Sequence, residues 1–317
     1  IMGTFMGHFL PGSFFLGFSI WWTFAMLNRY YRAKYRKGPA YQSTATYSCI
    51  CCRPGCCSSF QWEGVLKVTC CTVGLIGEIV TGIDHQTGSF VHIGNGQHAT
   101  MFSVFGFSGI IDLLMHCKAP LPKYTDYVFS ALCFAVEGVL FMFHLHGRTK
   151  VDIVVHTLLV YVVWACVLSL MLEMKFQNSI VASLSRCFFV GLQGTWFIQV
   201  GAMLYPPLPG LKQFEQGDMH ANVMIATIIF GWHMFGVFFL QLCLALILGR
   251  YHGKGASLGA SGGQHREVSM ERLIKSSSNN GDMSDLEESD TEFDASGVLI
   301  GDSPGNNGRL LLNTSEP

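Results

Sequence analysis

Seven apolar stretches, separated by short polar segments, divide the first 249 residues of the chain. They run over Phe9–Leu27, Trp62–Gly82, Gly96–Cys117, Tyr127–His144, Val151–Glu173, Ser179–Tyr205 and Met219–Leu248. At ~1.5 Å per residue, each is long enough as a helix to cover about 30 Å of hydrocarbon, with some tilt. Closed barrels are the only other way to satisfy every backbone polar group in lipid, and these runs lack the alternation of barrel strands. The pattern predicts an all-α fold, a seven-transmembrane helix bundle over residues 1–249. The first run reads as a helix rather than a cleaved signal, because basic residues follow it and no A-x-A-like site ends it.

Charge adds direction to this picture. The short loops after the first, third and fifth runs carry nine Lys/Arg (Arg29, Arg32, Lys34, Arg36, Lys37, Arg53, Lys118, Lys123, Lys175). The alternate loops carry three, Arg148, Lys150 and Lys212. The positive-inside rule then predicts an extracytoplasmic N-terminus and a cytosolic C-terminus. Residues 1–250 hold fifteen Lys/Arg and ten Asp/Glu, whereas residues 251–317 hold five and eleven. Residues 250–317, rich in Ser, Gly and acids, therefore read as a disordered acidic cytosolic tail. No basic stripe on a soluble fold points to nucleic acid. The lipid bilayer is the first expected partner; a homo-oligomer is compatible, and the tail could bind trafficking or signalling proteins.

Polar side chains inside the apolar runs are where function is expected, since an ionisable group facing lipid is costly. Because successive spans reverse direction, Glu78, His98, Glu137, His144, His146, Asp152, His156, Gln199 and His220 all fall in the extracytoplasmic half. Asp152 and His156, four apart, share one helical face. His98, His144, His146, His156, His220 and Glu78 are the candidate ligands of a divalent transition metal such as zinc, which favours this donor mixture. With one open coordination position such a metal could activate water for hydrolysis, and Glu137 or Asp152 would then be the candidate catalytic base. A hydrogen-bonded structural network and a proton or ion pathway fit the same residues. Asp112, Gln193, Gln199 and His233 are expected as core polar groups, with His116 one turn after Asp112. No H-E-x-x-H, G-x-S-x-G or Gly-rich phosphate loop supports a soluble-type enzyme. The third span lacks an Asp-Arg-Tyr-like end and the seventh an Asn-Pro-x-x-Tyr end, which argues against a rhodopsin-like receptor.

Cys49, Cys51, Cys52, Cys56 and Cys57 crowd into the first loop. In a reducing cytosol these are candidates for S-palmitoylation, with a thiolate metal clip or no special role as the alternatives. Ser284, Ser289 and Thr291 precede acids at spacings that suit an acid-directed kinase, and a plain solvated tail fits equally.

The opening Met2-Gly-Thr-Phe-Met-Gly-His-Phe-Leu-Pro-Gly-Ser-Phe-Phe resembles the start of the transmembrane protein 45 family. His144-Leu-His-Gly-Arg148 with Asp152-Ile-Val-Val-His156, Leu192-Gln-Gly-Thr-Trp-Phe-Ile-Gln199, Leu204-Tyr-Pro-Pro207 and Trp232-His233 extend the resemblance collinearly to about Gly249. The cysteine loop and long tail depart from it. Ile1, before the position where that family begins, is expected to be a numbering remnant. The resemblance implies a multipass protein of endomembranes or the plasma membrane without a settled activity, in a non-enzymatic trafficking or signalling role. It also implies recurrent polar residues at Glu78, His98, Asp112, Glu137, His144, His146, Asp152, His156, Gln193, Gln199, His220 and His233. An intramembrane metal-dependent hydrolase acting on a lipid-like substrate, or a proton or ion pathway, remain the alternatives.

Overall fold

The computed structural model describes residues 4–35, 39–47, 60–84, 86–143, 149–207, 214 and 218–278. Its seven helices are α1 (Phe5–Tyr35), α2 (Trp62–Gly82), α3 (Ile93–His116), α4 (Thr125–Phe143), α5 (Lys150–Lys175), α6 (Ile180–Leu204) and α7 (Met219–Ser278). All seven contain stretches long and apolar enough to cross a membrane, and no strand occurs among the described residues. The chain divides after Ser261, so that the bundle belongs to the first unit.

The ends are set by local chemistry. The Thr4 hydroxyl accepts the Gly7 N–H at 3.2 Å, so α1 starts a turn before its apolar run. Arg32 and Lys34 close the same helix where its dipole favours cations. The Thr149 and Ser179 hydroxyls cap α5 and α6, accepting from Asp152 and Ala182, each at 3.3 Å. α7 continues past the expected boundary at Gly249 to Ser278.

α2, α3, α4, α5, α6 and α1 pack in that order, each on the next. α1 and α2 are thus the two ends of an arc, and among the described residues their backbones make no close approach. Two seams are held by glycine. A Cβ on Gly194 would stand 2.7 Å from the Gly12 oxygen, and one on Gly109 would stand 2.7 Å from the Gly64 oxygen. Such small residues let membrane helices approach closely. α6 is central: Val190, Leu192, Gln193, Trp196 and Val200 are all buried. α7 lies outside it, with Phe230 packed edge-on against Trp196 at 4.9 Å and His252 hydrogen-bonded to Asn28 at 2.7 Å.

Residues 39–47 are built into the end of the bundle where α1 finishes, here termed the distal end. Tyr41, Ser43, Ala45 and Tyr47 are buried alternately. The Ser43 N–H donates to the Gln177 carbonyl at 2.8 Å, and Tyr41 donates to the Ser183 hydroxyl at 2.9 Å. Burial pushes the Tyr41 phenol up to about 12 and carries Tyr47 well above its ordinary value. A phenol whose folded pKa is raised stabilises the fold fully below the unfolded value, and that contribution disappears as pH rises through the folded one. The thermal midpoint is therefore expected to fall between pH 10 and 12. A flatter fall in Tyr41→Phe would assign part of it to this phenol; an unchanged slope would refute the assignment.

Candidate functional site

Most ionisable side chains inside the bundle occur as partnered sets, whereas the buried Trp62 indole N–H and Tyr47 hydroxyl make no hydrogen bond among the described residues. At the proximal end, where α1 begins, the buried His98 Nδ1 of α3 lies 3.4 Å from Glu78 Oε2 of α2. On α5, His156 Nδ1 lies 2.6 Å from Asp152 Oδ1 and 2.9 Å from the Asp152 carbonyl. His8, also buried, places its ring edge-on to His156 with centroids 5.9 Å apart. Deeper in the bundle, the Gln193 amide donates to both oxygens of Glu137 at 3.0 Å and accepts the Cys166 thiol at 3.3 Å. The two candidate bases, Glu137 and Asp152, thus sit in different sets.

The remaining expected residues are spread more widely. His220 is exposed at the start of α7, Gln199 is half-buried, and His233 stands edge-on to Trp196 at 5.6 Å. His144 and His146 lie outside the described residues, as do Cys49, Cys51, Cys52, Cys56, Cys57, Ser284, Ser289 and Thr291. Among the described residues, no three His, Cys, Asp or Glu side chains are placed to hold one metal ion.

The distal half holds a set that hydropathy does not reveal. Lys67 of α2 pairs with Asp112 of α3 at 2.7 Å. Arg186 of α6 pairs with Glu173 of α5 at 2.7 Å, with both side chains at 2% exposure or less. Its guanidinium also donates to the Ala45 carbonyl at 2.9 Å and covers the Trp22 ring at 4.5 Å. Glu63 accepts the indole N–H of Trp21 at 2.7 Å, that of Trp22 at 3.0 Å and the Tyr47 backbone N–H at 2.9 Å. These contacts join α1, α2, α3, α5, α6 and residues 39–47. The cues present in the sequence are Lys67 and Arg186 inside apolar runs and the alternation from Tyr41 to Tyr47.

Between α1, α2, α3, α4 and α6 lies a cavity of about 370 Å³. Its walls include Phe14, Phe15, Phe102, Phe105, Phe141 and Phe197, together with Glu137, His98 and the thiols of Cys70 and Cys71. A smaller space of about 40 Å³, lined by Lys67, Arg186 and Cys133, lies toward the distal end.

Seven apolar helices with their charged groups turned into partnered interior positions require a bilayer around them. This is an integral, multipass membrane protein. Residues 124–246 match a family described as "Family of unknown function (DUF716)". The chain is 27% identical over 146 residues to human transmembrane epididymal protein 1, covering 46% of this chain and 53% of that one. It is 23% identical over 270 residues to mouse transmembrane epididymal protein 1A, covering 78% and 81%. For the rat transmembrane epididymal protein 1 the identity is 26% over 163 residues, covering 50% and 51%. The chain thus spans about half the length of the human and rat relatives it matches. The family match begins at Tyr124, immediately before α4, and ends in α7, so it includes Glu137, Asp152, His156, Arg186, Gln193 and Trp196.

Proposed function

We propose that the protein is a non-enzymatic membrane component of endomembranes or the cell surface, related to the transmembrane protein 45 family, acting in trafficking or signalling with its tail in the cytosol. The pairing of interior polar groups carries the reading. Glu63, Glu78, Asp112, Glu137, Asp152 and Glu173 each face a donor or a basic group supplied by the protein itself. A metallohydrolase needs a vacant coordination position and a base free to move a proton. In a fastening network the pairs that cross between helices hold them together and fix their register. Elemental mass spectrometry on detergent-purified full chain, prepared without chelator, tests this directly. Metal well below one equivalent is expected, unchanged in a His98→Ala/His156→Ala double variant. Stoichiometric zinc, lost in that variant while it remains folded, would overturn the reading in favour of the metal centre.

A further inference from the structure

We propose that the cavity between α1 and α2 is a binding site for a single-chain, hydroxyl-bearing lipid that enters sideways from the bilayer. Three observations converge on this.

The first is the shape of the α1–α2 seam. At its distal end the seam is shut by side chains: Trp21 and Trp22 both donate to Glu63, and Trp62 meets Trp21 edge-on at 5.1 Å and stacks with Phe18 at 6.3 Å. Toward the proximal end, Leu10 of α1 is 57% exposed and Val73 of α2 is 67% exposed, and both line the cavity. Thr69 and Cys70 share that exposed rim. The seam therefore opens where a lipid chain would lie and closes where the charged network begins.

The second is the lining. Apart from Thr69, Cys70, Cys71, His98 and Glu137, the cavity wall is apolar, with six phenylalanines among its lining residues. A space of about 370 Å³ falls within the ordinary range for small-molecule sites, about 300–1,000 Å³. That size and a one-sided opening suit one hydrocarbon chain and not the two chains of a phospholipid. An apolar cavity facing a bilayer has hydrocarbon, at high local concentration, as its natural occupant.

The third is Glu137. It is 2% exposed, lines the cavity, and is held from α6 by the Gln193 amide, which bridges its two oxygens. A carboxyl group retains acceptor sites beyond those two bonds. A ligand hydroxyl can donate to it, whereas an ether or a bare alkane cannot. His98, engaged with Glu78, bounds the same space from α3.

The test uses full-length protein in phosphatidylcholine nanodiscs and a long-chain alcohol carrying a diazirine and an alkyne, with its methyl ether as comparison. Photolabelling is expected on lining residues such as Phe14, Phe105 and Phe141. The alcohol should outcompete the ether by about five-fold, the equivalent of one net hydrogen bond. Glu137→Leu should erase that preference, and Glu137→Gln, which keeps an acceptor, should retain it. Val73→Trp, placed at the rim, should suppress labelling, while Ile76→Trp, exposed on α2 outside the cavity, should not. Size-exclusion profiles and melting of each variant verify folding. Labels confined to outward-facing side chains such as Ile76 and Trp232 would overturn the site. Labelling of the lining with no preference between alcohol and ether would overturn the assignment of the head group.

Discussion

Glu173→Gln is expected to destabilise the bundle by about 3–5 kcal/mol, the usual cost of leaving one partner of a buried ion pair uncompensated. Glu173 and Arg186 are both buried and 2.7 Å apart, so removing the carboxylate strands a guanidinium away from water. The stranded charge cannot swing outward, because Arg186 is also held by the Ala45 carbonyl and lies over Trp22. Replacing both residues by apolar ones of similar size, as in Glu173→Leu/Arg186→Met, removes the unpaired charge. The double variant is therefore expected to be more stable than Glu173→Gln alone, though short of the parent, since the Ala45 carbonyl loses its donor. Thermal melting in detergent across the set decides the matter. A double variant less stable than the single would mean that Arg186 acts chiefly through residues 39–47 and not through its carboxylate.

That network also shows where the sequence stops being legible. Helix number and position follow from run length, because hydrocarbon thickness constrains each span separately. The same logic places Glu78 with His98 and Asp152 with His156, since depth and a four-residue spacing are local properties. It does not choose Lys67 as the partner of Asp112, because the two lie 45 residues apart on neighbouring helices. The contact depends on the α2–α3 approach at Gly64 and Gly109. It also does not show that residues 39–47, polar on average, enter the bundle; only the period-two burial of Tyr41, Ser43, Ala45 and Tyr47 carries that information. The cavity is still less visible. It arises from the absence of a close α1–α2 approach, a property of the whole arc and of no single helix. His220 illustrates the converse: it shares the depth of the proximal histidines but is exposed in the first turn of α7, because depth along the chain does not fix which way a side chain faces.

Gly194→Val is expected to have the second large effect, a loss of about 1–3 kcal/mol or more and with it the α1–α6 seam. A Cβ at Gly194 would stand 2.6 Å from the Leu16 nitrogen, 2.7 Å from the Gly12 oxygen and 3.0 Å from the Leu16 Cα, all of them backbone atoms. No rotamer change relieves such a contact, so α1 must move away from α6. That displacement would also withdraw the Ser19 hydroxyl from the Cys187 carbonyl, now 2.7 Å away, lower down the same seam. Gly12→Val should behave alike, because its Cβ would meet the Gly194 oxygen at 2.8 Å. Gly17 is the internal control: it lies in the same helix, and a Cβ there meets nothing within 4 Å. Gly17→Ala is expected to be neutral or to stabilise by up to about 1 kcal/mol through helix propensity. Melting and monodispersity of Gly194→Val, Gly12→Val and Gly17→Ala separate the explanations. If all three behave alike, backbone propensity governs this helix pair; if the first two fail and the third does not, close packing holds α1 against α6. The second result would also make the α1–α6 seam the fixed wall of the cavity, leaving the α1–α2 side as the one that can admit a lipid.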